Sequence, residues 1–134
     1  MLKTYHGSCH CGAVRYEARI DLAEGTGRCN CSICRKRRSW GALIKPDAFR
    51  LIQGEEALSS YSFGTMQGQH RFCATCGVAP FGQGDVPGIG GAFVSINLGT
   101  LDDADDIELA AAPINYSNGR DNKWWEVPAE TRHL

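Results

Sequence analysis

Gly7-Ser8-Cys9-His10-Cys11-Gly12-Ala13-Val14-Arg15-Tyr16-Glu17-Ala18-Arg19-Ile20 carries both a strand and half of a metal site. From Val14 onward the residues alternate: Val14, Tyr16, Ala18 and Ile20 share one face, and Arg15, Glu17 and Arg19 share the other. A period of two with one apolar face predicts a half-buried β-strand. Just before it, Cys9 and Cys11 flank His10. On an extended chain that spacing puts both sulfurs on one side and aims His10 away from them. Gly7 and Gly12 beside the pair mark a bulge or turn. Two thiolates make half of a tetrahedral zinc site, so a partner pair is required.

Cys73-Ala74-Thr75-Cys76-Gly77 supplies it. Two residues between cysteines let the backbone turn so that both sulfurs face one ion, and Gly77 suits the backbone angles that follow. Arg71-Phe72 and Val78-Ala79-Pro80-Phe81 read as the arms of a hairpin around it. A redox pair is the competing reading of a lone C-x-x-C, but a βαβ unit with the motif at a helix start is missing. A zinc ion on Cys9, Cys11, Cys73 and Cys76 would close a loop of about 60 residues and couple metal binding to folding.

The remaining cysteines form the cluster Cys29-Asn30-Cys31-Ser32-Ile33-Cys34. Three thiolates can wrap one ion if a helical turn begins near Cys31, leaving the fourth position open to water or a substrate atom. Such a zinc carries a net negative charge, and Arg35-Lys36-Arg37-Arg38 follows directly. That run can hold the thiolates ionised and can bind the carboxylates of an anionic substrate, with Arg35 nearest. Its simpler reading is a solvated surface turn. An open thiolate-zinc centre suits thiol chemistry, because a borderline-soft ion accepts a sulfur as fourth ligand.

The rest of the pattern is mostly β. Short strands are expected at Ser39–Ile44, Phe49–Ile52, Leu58–Phe63, Gln69–Phe72 and Ala92–Leu98. Helical signal is weak: one turn at Ser32–Arg37, and a solvated loop or short helix start in the acidic segment Leu101–Leu109. The glycine-rich stretch Gly82–Gly91 matches neither a dinucleotide fingerprint nor a P-loop and reads as a flexible hairpin loop, a potential lid over the second metal. Trp124 and Trp125 read as core cover, with the lining of a substrate cleft as the alternative.

The chain of 134 residues, 43% hydrophobic and 22% charged, has the composition of one soluble globular domain spanning 1–134. A net charge of −1 gives no general attraction to nucleic acid or acidic membranes, and the short basic run lacks an aromatic stacking platform. The N-terminus has no apolar signal core, and no stretch approaches the roughly 20 apolar residues of a membrane span. A cytoplasmic location follows as the expectation, where clustered cysteines bind metal rather than pair. Nothing in the pattern sets an oligomeric state.

The three cysteine motifs, in this order and spacing, resemble the glutathione-dependent formaldehyde-activating enzyme family, which shares a domain with centromere protein V. The resemblance rests on Gly7–Glu17, Cys29–Arg35 and Phe72–Gly77 and becomes loose after Asp102. The stretch Asn115–Glu126 is similar to a version found in smaller members. The resemblance implies a mostly β, Mss4-like fold of several small antiparallel sheets stapled by zinc. It implies two Zn²⁺ per chain: a structural one on Cys9, Cys11, Cys73 and Cys76, and an open one on Cys29, Cys31 and Cys34, which would be the catalytic group. It also implies a carbon–sulfur lyase that joins glutathione and formaldehyde into S-(hydroxymethyl)glutathione. The competing expectation is a zinc-stabilised binding module for a thiol or a partner protein, without turnover. Occupancy of the fourth position at the second centre separates the two.

Overall fold

A computed structural model describes residues 1–88 and 90–134. In chain order its regular elements are β1 (Lys3–Ser8), β2 (Arg15–Ile20), β3 (Thr26–Cys29), α1 (Ser32–Arg37), β4 (Gly41–Ile44), β5 (Phe49–Gln53), β6 (Leu58–Tyr61), β7 (Gly68–Cys73), β8 (Phe81–Val86), β9 (Gly91–Asn97), α2 (Asp106–Ala111) and β10 (Ile114–Ser117), joined by short 3₁₀ turns. The expected mostly β architecture holds. The strands form two sheets, one of three strands in the order β1-β2-β5 and one of seven in the order β10-β3-β4-β9-β8-β7-β6. All pairings are antiparallel except β10 against β3, which run parallel.

The alternation in β2 does what its period predicts. Val14, Tyr16, Ala18 and Ile20 are buried, and with Val94, Ile96, Leu98 and Phe81 from the larger sheet they make the core. Tyr16 (β2), Phe49 (β5) and Phe81 (β8) interlock across the two sheets, with ring centroids 5.7, 6.2 and 4.6 Å apart. Burying the Tyr16 and Phe81 rings supplies about 1.5–3 kcal/mol each, and the half-buried Phe49 adds less. The Tyr16 hydroxyl meets Thr100 Oγ1 at 2.7 Å, so its polar end is not orphaned. Gly7 lies opposite Tyr16 in the β1–β2 register, and a Cβ there would sit 2.2 Å from the Tyr16 ring. The glycine is what lets the large ring enter.

The acidic segment holds the expected short helix start, α2, and Asp102, Asp103, Asp105 and Asp106 stay exposed, but several of its carboxylates also partner β1. Asp102 accepts from Ser8 Oγ at 2.7 Å, and Asp103 accepts from the His6 backbone N–H at 2.9 Å and meets the His6 ring. Glu108 accepts from the Tyr5 hydroxyl and from Lys3 Nζ. Asp105 caps α2 by accepting from the Ile107 N–H at 2.7 Å. These carboxylates latch the chain onto the outer edge of β1.

The hydrogen bond to Asp103 raises the His6 pKa above its ordinary value. Protonated His6 therefore strengthens the latch fully below about pH 6.5, and that contribution is lost as pH climbs through the raised folded value. An NMR titration should place the His6 midpoint above 6.5, moving down in Asp103→Asn. An unshifted midpoint would show the contact to be without energetic weight.

The glycine-rich stretch is also more regular than expected. Gly82 and Gly84 lie inside β8, and the turn to β9 is confined to the residues just before Gly91.

Candidate metal centres

Two turns, one from each sheet, meet at the first cysteine cluster. The β1–β2 connection holds Cys9 and Cys11 in a turn, as the flanking glycines suggested, rather than on a continuous strand face. Gly12 N–H donates to the Cys9 carbonyl at 3.2 Å, and Cys9 N–H to the Val14 carbonyl at 3.1 Å. The β7–β8 connection repeats the device: Gly77 N–H donates to the Cys73 carbonyl at 2.8 Å, and Cys73 N–H to Val78 at 2.9 Å. Gly12 and Gly77 adopt φ of +81° and +79°, which the tight turns require.

The four sulfurs of Cys9, Cys11, Cys73 and Cys76 lie within 4.8 Å of one another. Cys9–Cys11 and Cys11–Cys73 are each 3.7 Å apart, with all seven thiols free. A zinc–sulfur bond near 2.3 Å gives a tetrahedron with an edge of about 3.8 Å, so this donor set fits the ion. Backbone N–H groups point at the sulfurs, as Val14 does at Cys9, 3.3 Å away. Backbone donors of Cys11 and Val78 pull the Cys76 pKa down to about 6. Neither His6 nor His10 belongs to this group; His10, between the two cysteines, was expected to point away from the ion.

The second cluster is built where β3 ends and α1 begins. Cys29 closes β3, Cys31 is the residue capping α1, and Cys34 lies on its first turn. The helical turn brings the three sulfurs within 4.8 Å of one another, and among the described residues no other Cys, His, Asp or Glu joins them. Hydrogen bonds from the Cys31 and Cys34 thiols hold Cys29 far below the ordinary thiol range, whereas Cys34 is pushed up by Cys29 and Cys31. Crowding three sulfurs together raises the cost of ionising all of them, a cost that a bound cation would offset. A three-thiolate set of this kind fits a metal that keeps one position free.

Asn30, inside the motif, is the residue sequence reasoning missed. It is 3% exposed. Its side-chain amide donates to Asn118 Oδ1 at 3.0 Å and its Oδ1 accepts from the Arg120 N–H at 3.0 Å; its own N–H donates to the Ser117 carbonyl at 3.2 Å. Asn30 thus clamps the C-terminal segment over the cluster. At Gly119 a Cβ would lie 2.7 Å from Cys29 Sγ and 2.4 Å from the Trp124 ring. Only glycine lets that backbone close on the sulfur, and Trp124 packs behind it. Trp124 and Trp125 are 49% and 78% exposed, so they do not cover the core as expected; Trp124 instead borders the site. A polar residue between two cysteines was the available signal, and its partners lie too far along the chain to be read. Asn30→Ala should remove two part-buried hydrogen bonds, to Asn118 and Arg120, at about 1 kcal/mol each, lowering Tm by a few degrees and weakening the second metal at least tenfold in a chelator competition. Unchanged metal affinity would show the clamp to be scaffold only.

The cluster opens onto a cavity of about 1110 Å³. Cys29, Cys31 and Cys34 line it, as do Arg28, Arg37 and Arg38, none of which has a carboxylate partner among the described residues. Arg28 is held over the Trp40 ring at 5.4 Å. Arg35, singled out from the sequence, is exposed and lies outside the cavity wall. Gly82 and Gln83 belong to the wall as part of β8, not as a lid.

Comparison with known proteins follows the same residues. The family model for the glutathione-dependent formaldehyde-activating enzyme matches residues 4–116, which include all seven cysteines. A Halomonas elongata protein named "Putative glutathione-dependent formaldehyde-activating enzyme" is 38% identical over 81 residues, 54% of this chain. The match covers 52% of that protein, so the chain spans about half the length of the curated relative. A crystal structure of a Rhodobacter sphaeroides protein is similar with a TM-score of 0.70 and 32% identity, over 82% of this chain and 99% of that one.

Proposed function

The chain belongs to the glutathione-dependent formaldehyde-activating enzyme family, and on that premise we propose a zinc-dependent carbon–sulfur lyase acting on a glutathione–aldehyde adduct. The observation that carries the proposal is the cluster of Cys29, Cys31 and Cys34, three sulfurs without a fourth protein donor among the described residues, facing a large cavity whose wall includes Arg28, Arg37 and Arg38. In this reading residues 1–134 form one zinc-binding unit, with Cys9, Cys11, Cys73 and Cys76 holding a structural zinc.

Zinc on the three thiolates would supply a soft open position that lowers the pKa of an incoming thiol. The chain's own groups do the rest. Arg28, Arg37 and Arg38 bind the carboxylates of glutathione and set the thiol toward the cluster. Gly119 and Trp124 close one side against water. In the forward direction the substrate sulfur attacks the aldehyde carbon and a C–S bond forms. The carbonyl π pair moves to oxygen, and the proton given up by the thiol ends on that oxygen. The reverse reaction returns the proton to sulfur and breaks the C–S bond. The need for seven reduced thiols fits a cytoplasmic setting; no helix among the described residues is long and apolar enough to cross a membrane.

Calorimetric titration of zinc-loaded protein with glutathione, with and without formaldehyde, tests the proposal. Saturable glutathione binding and faster equilibration of the adduct than in buffer are expected. Binding without acceleration would leave a thiol-binding module, and no binding would remove the proposal.

A further inference from the structure

The cavity is far larger than formaldehyde needs. Cavities of roughly 300–1,000 Å³ serve whole drug-sized ligands, a class that includes glutathione itself, and this one, at about 1110 Å³, has room beyond a thiol that carries only a hydroxymethyl group. Its floor is one face of the seven-stranded sheet. Leu43 pairs with Ser95, Ser95 with Gly82, and Gly82 with His70, so these four share that face. In the next row Phe93 and Gly68 pair with Gly84, and on the far side Gly27 pairs with Gly41. The opposite face carries Ala42, Val94, Ile96 and Phe81 into the core. Gly82 therefore leaves a short strip of peptide backbone bare on the cavity side, with only backbone within 4 Å of where its Cβ would be, whereas the Phe93 ring lies over Gly84 and Ser95 Oγ reaches over Gly41.

One end of this bare strip is aromatic. Phe63 and His70 stack with centroids 5.7 Å apart and planes 17° apart, and Tyr61 continues the stack at 5.8 Å. Phe63 and His70 both line the cavity. His70 also borders Ile33 and Arg37 of α1, the helix whose first turn carries Cys34. The stack is thus beside the three-cysteine centre. The hydroxymethyl group of a formaldehyde adduct is too small to span from the three-cysteine centre to the strip and the stack.

We propose that the adduct handled at the three-cysteine centre carries a planar aromatic ring, laid on the bare backbone at Gly82 beside Phe93 and packed against Phe63 and His70. The inference rests on the thiol–aldehyde reading above and names its substrate class. The chemistry is unchanged: sulfur bonds to the carbonyl carbon and the thiol proton moves to oxygen. The ring enters on either component, as an aromatic aldehyde or as an aryl thiol. Stacking and burial of one ring supply the selectivity.

Zinc-loaded full-length protein would be titrated with glutathione alone, then with three pre-equilibrated mixtures: glutathione with formaldehyde, glutathione with benzaldehyde, and an aryl thiol with formaldehyde. At least one aromatic adduct should bind tenfold or more tightly than S-(hydroxymethyl)glutathione, and the better arm identifies which component bears the ring. Phe63→Ala and His70→Ala should each bring that ratio toward one, with unchanged circular dichroism confirming the fold. Equal affinity for all adducts, or a ratio indifferent to both substitutions, overturns the inference while leaving glutathione binding and the lyase proposal standing. Failure of glutathione and every adduct to bind overturns both.

Discussion

Cys73→Ser is expected to leave the chain unfolded or strongly destabilised at 25 °C. Cys73 is fully buried, ends β7, and contributes one of four sulfurs joining the two sheets. A serine hydroxyl stays protonated at neutral pH and cannot replace the thiolate, so the ion is lost or held weakly. Structural zinc in small domains contributes about 10–16 kcal/mol of binding free energy to folding. Net stabilities are only about 5–15 kcal/mol. Forfeiting even 5 kcal/mol at this chain length lowers Tm by about 20 °C. Circular dichroism on heating, with and without zinc, reads the effect. A variant that melts where the parent does would show that the core, including Tyr16, Phe49 and Phe81, holds the sheets without a staple.

Cys31→Ser is expected to do the opposite. Cys31 caps α1 from a half-exposed position, and α1 buries none of its residues, so little packing depends on it. Removing its sulfur leaves Cys29 and Cys34, too few for a three-thiolate centre. Tm should stay within about 3 °C of the parent, the shift of a sub-kcal/mol change. Metal content should fall from about two zinc per chain to about one, and glutathione binding should disappear. Global unfolding of Cys31→Ser would contradict the division of labour between the two clusters.

The contrast between these variants was legible in the sequence because ligand spacing is local. C-x-C, C-x-x-C and the triplet each place sulfurs within a turn of one another whatever the distant chain does. The β2 strand was legible for the same reason, its period fixed by Val14, Tyr16, Ala18 and Ile20. What was not legible depends on distant partners. Thr26–Cys29 and Ile114–Ser117 are too short to show a period; they pair in parallel with each other, and Thr26–Cys29 also pairs with β4. The acidic segment looks solvated by composition, yet Asp102, Asp103 and Glu108 are the hydrogen-bond partners of β1. Gly82 and Gly84 look like a loop because a strand face without side chains shows no alternation; their partners Ser95 and Phe93 make them a strand. Asn30 gave no sign that it would hold Asn118 and Arg120 against the metal cluster.

The mean ligand set of the bound metal tests the account most directly. X-ray absorption at the zinc edge of fully loaded protein should give about 3.5 sulfurs per zinc near 2.3 Å, with about half a light-atom ligand, the mean of a closed four-sulfur centre and an open three-sulfur centre. Addition of glutathione should raise the sulfur number toward four. A value of four sulfurs per zinc before any thiol is added, or a sulfur number that glutathione does not change, would contradict the existence of an open centre at Cys29, Cys31 and Cys34.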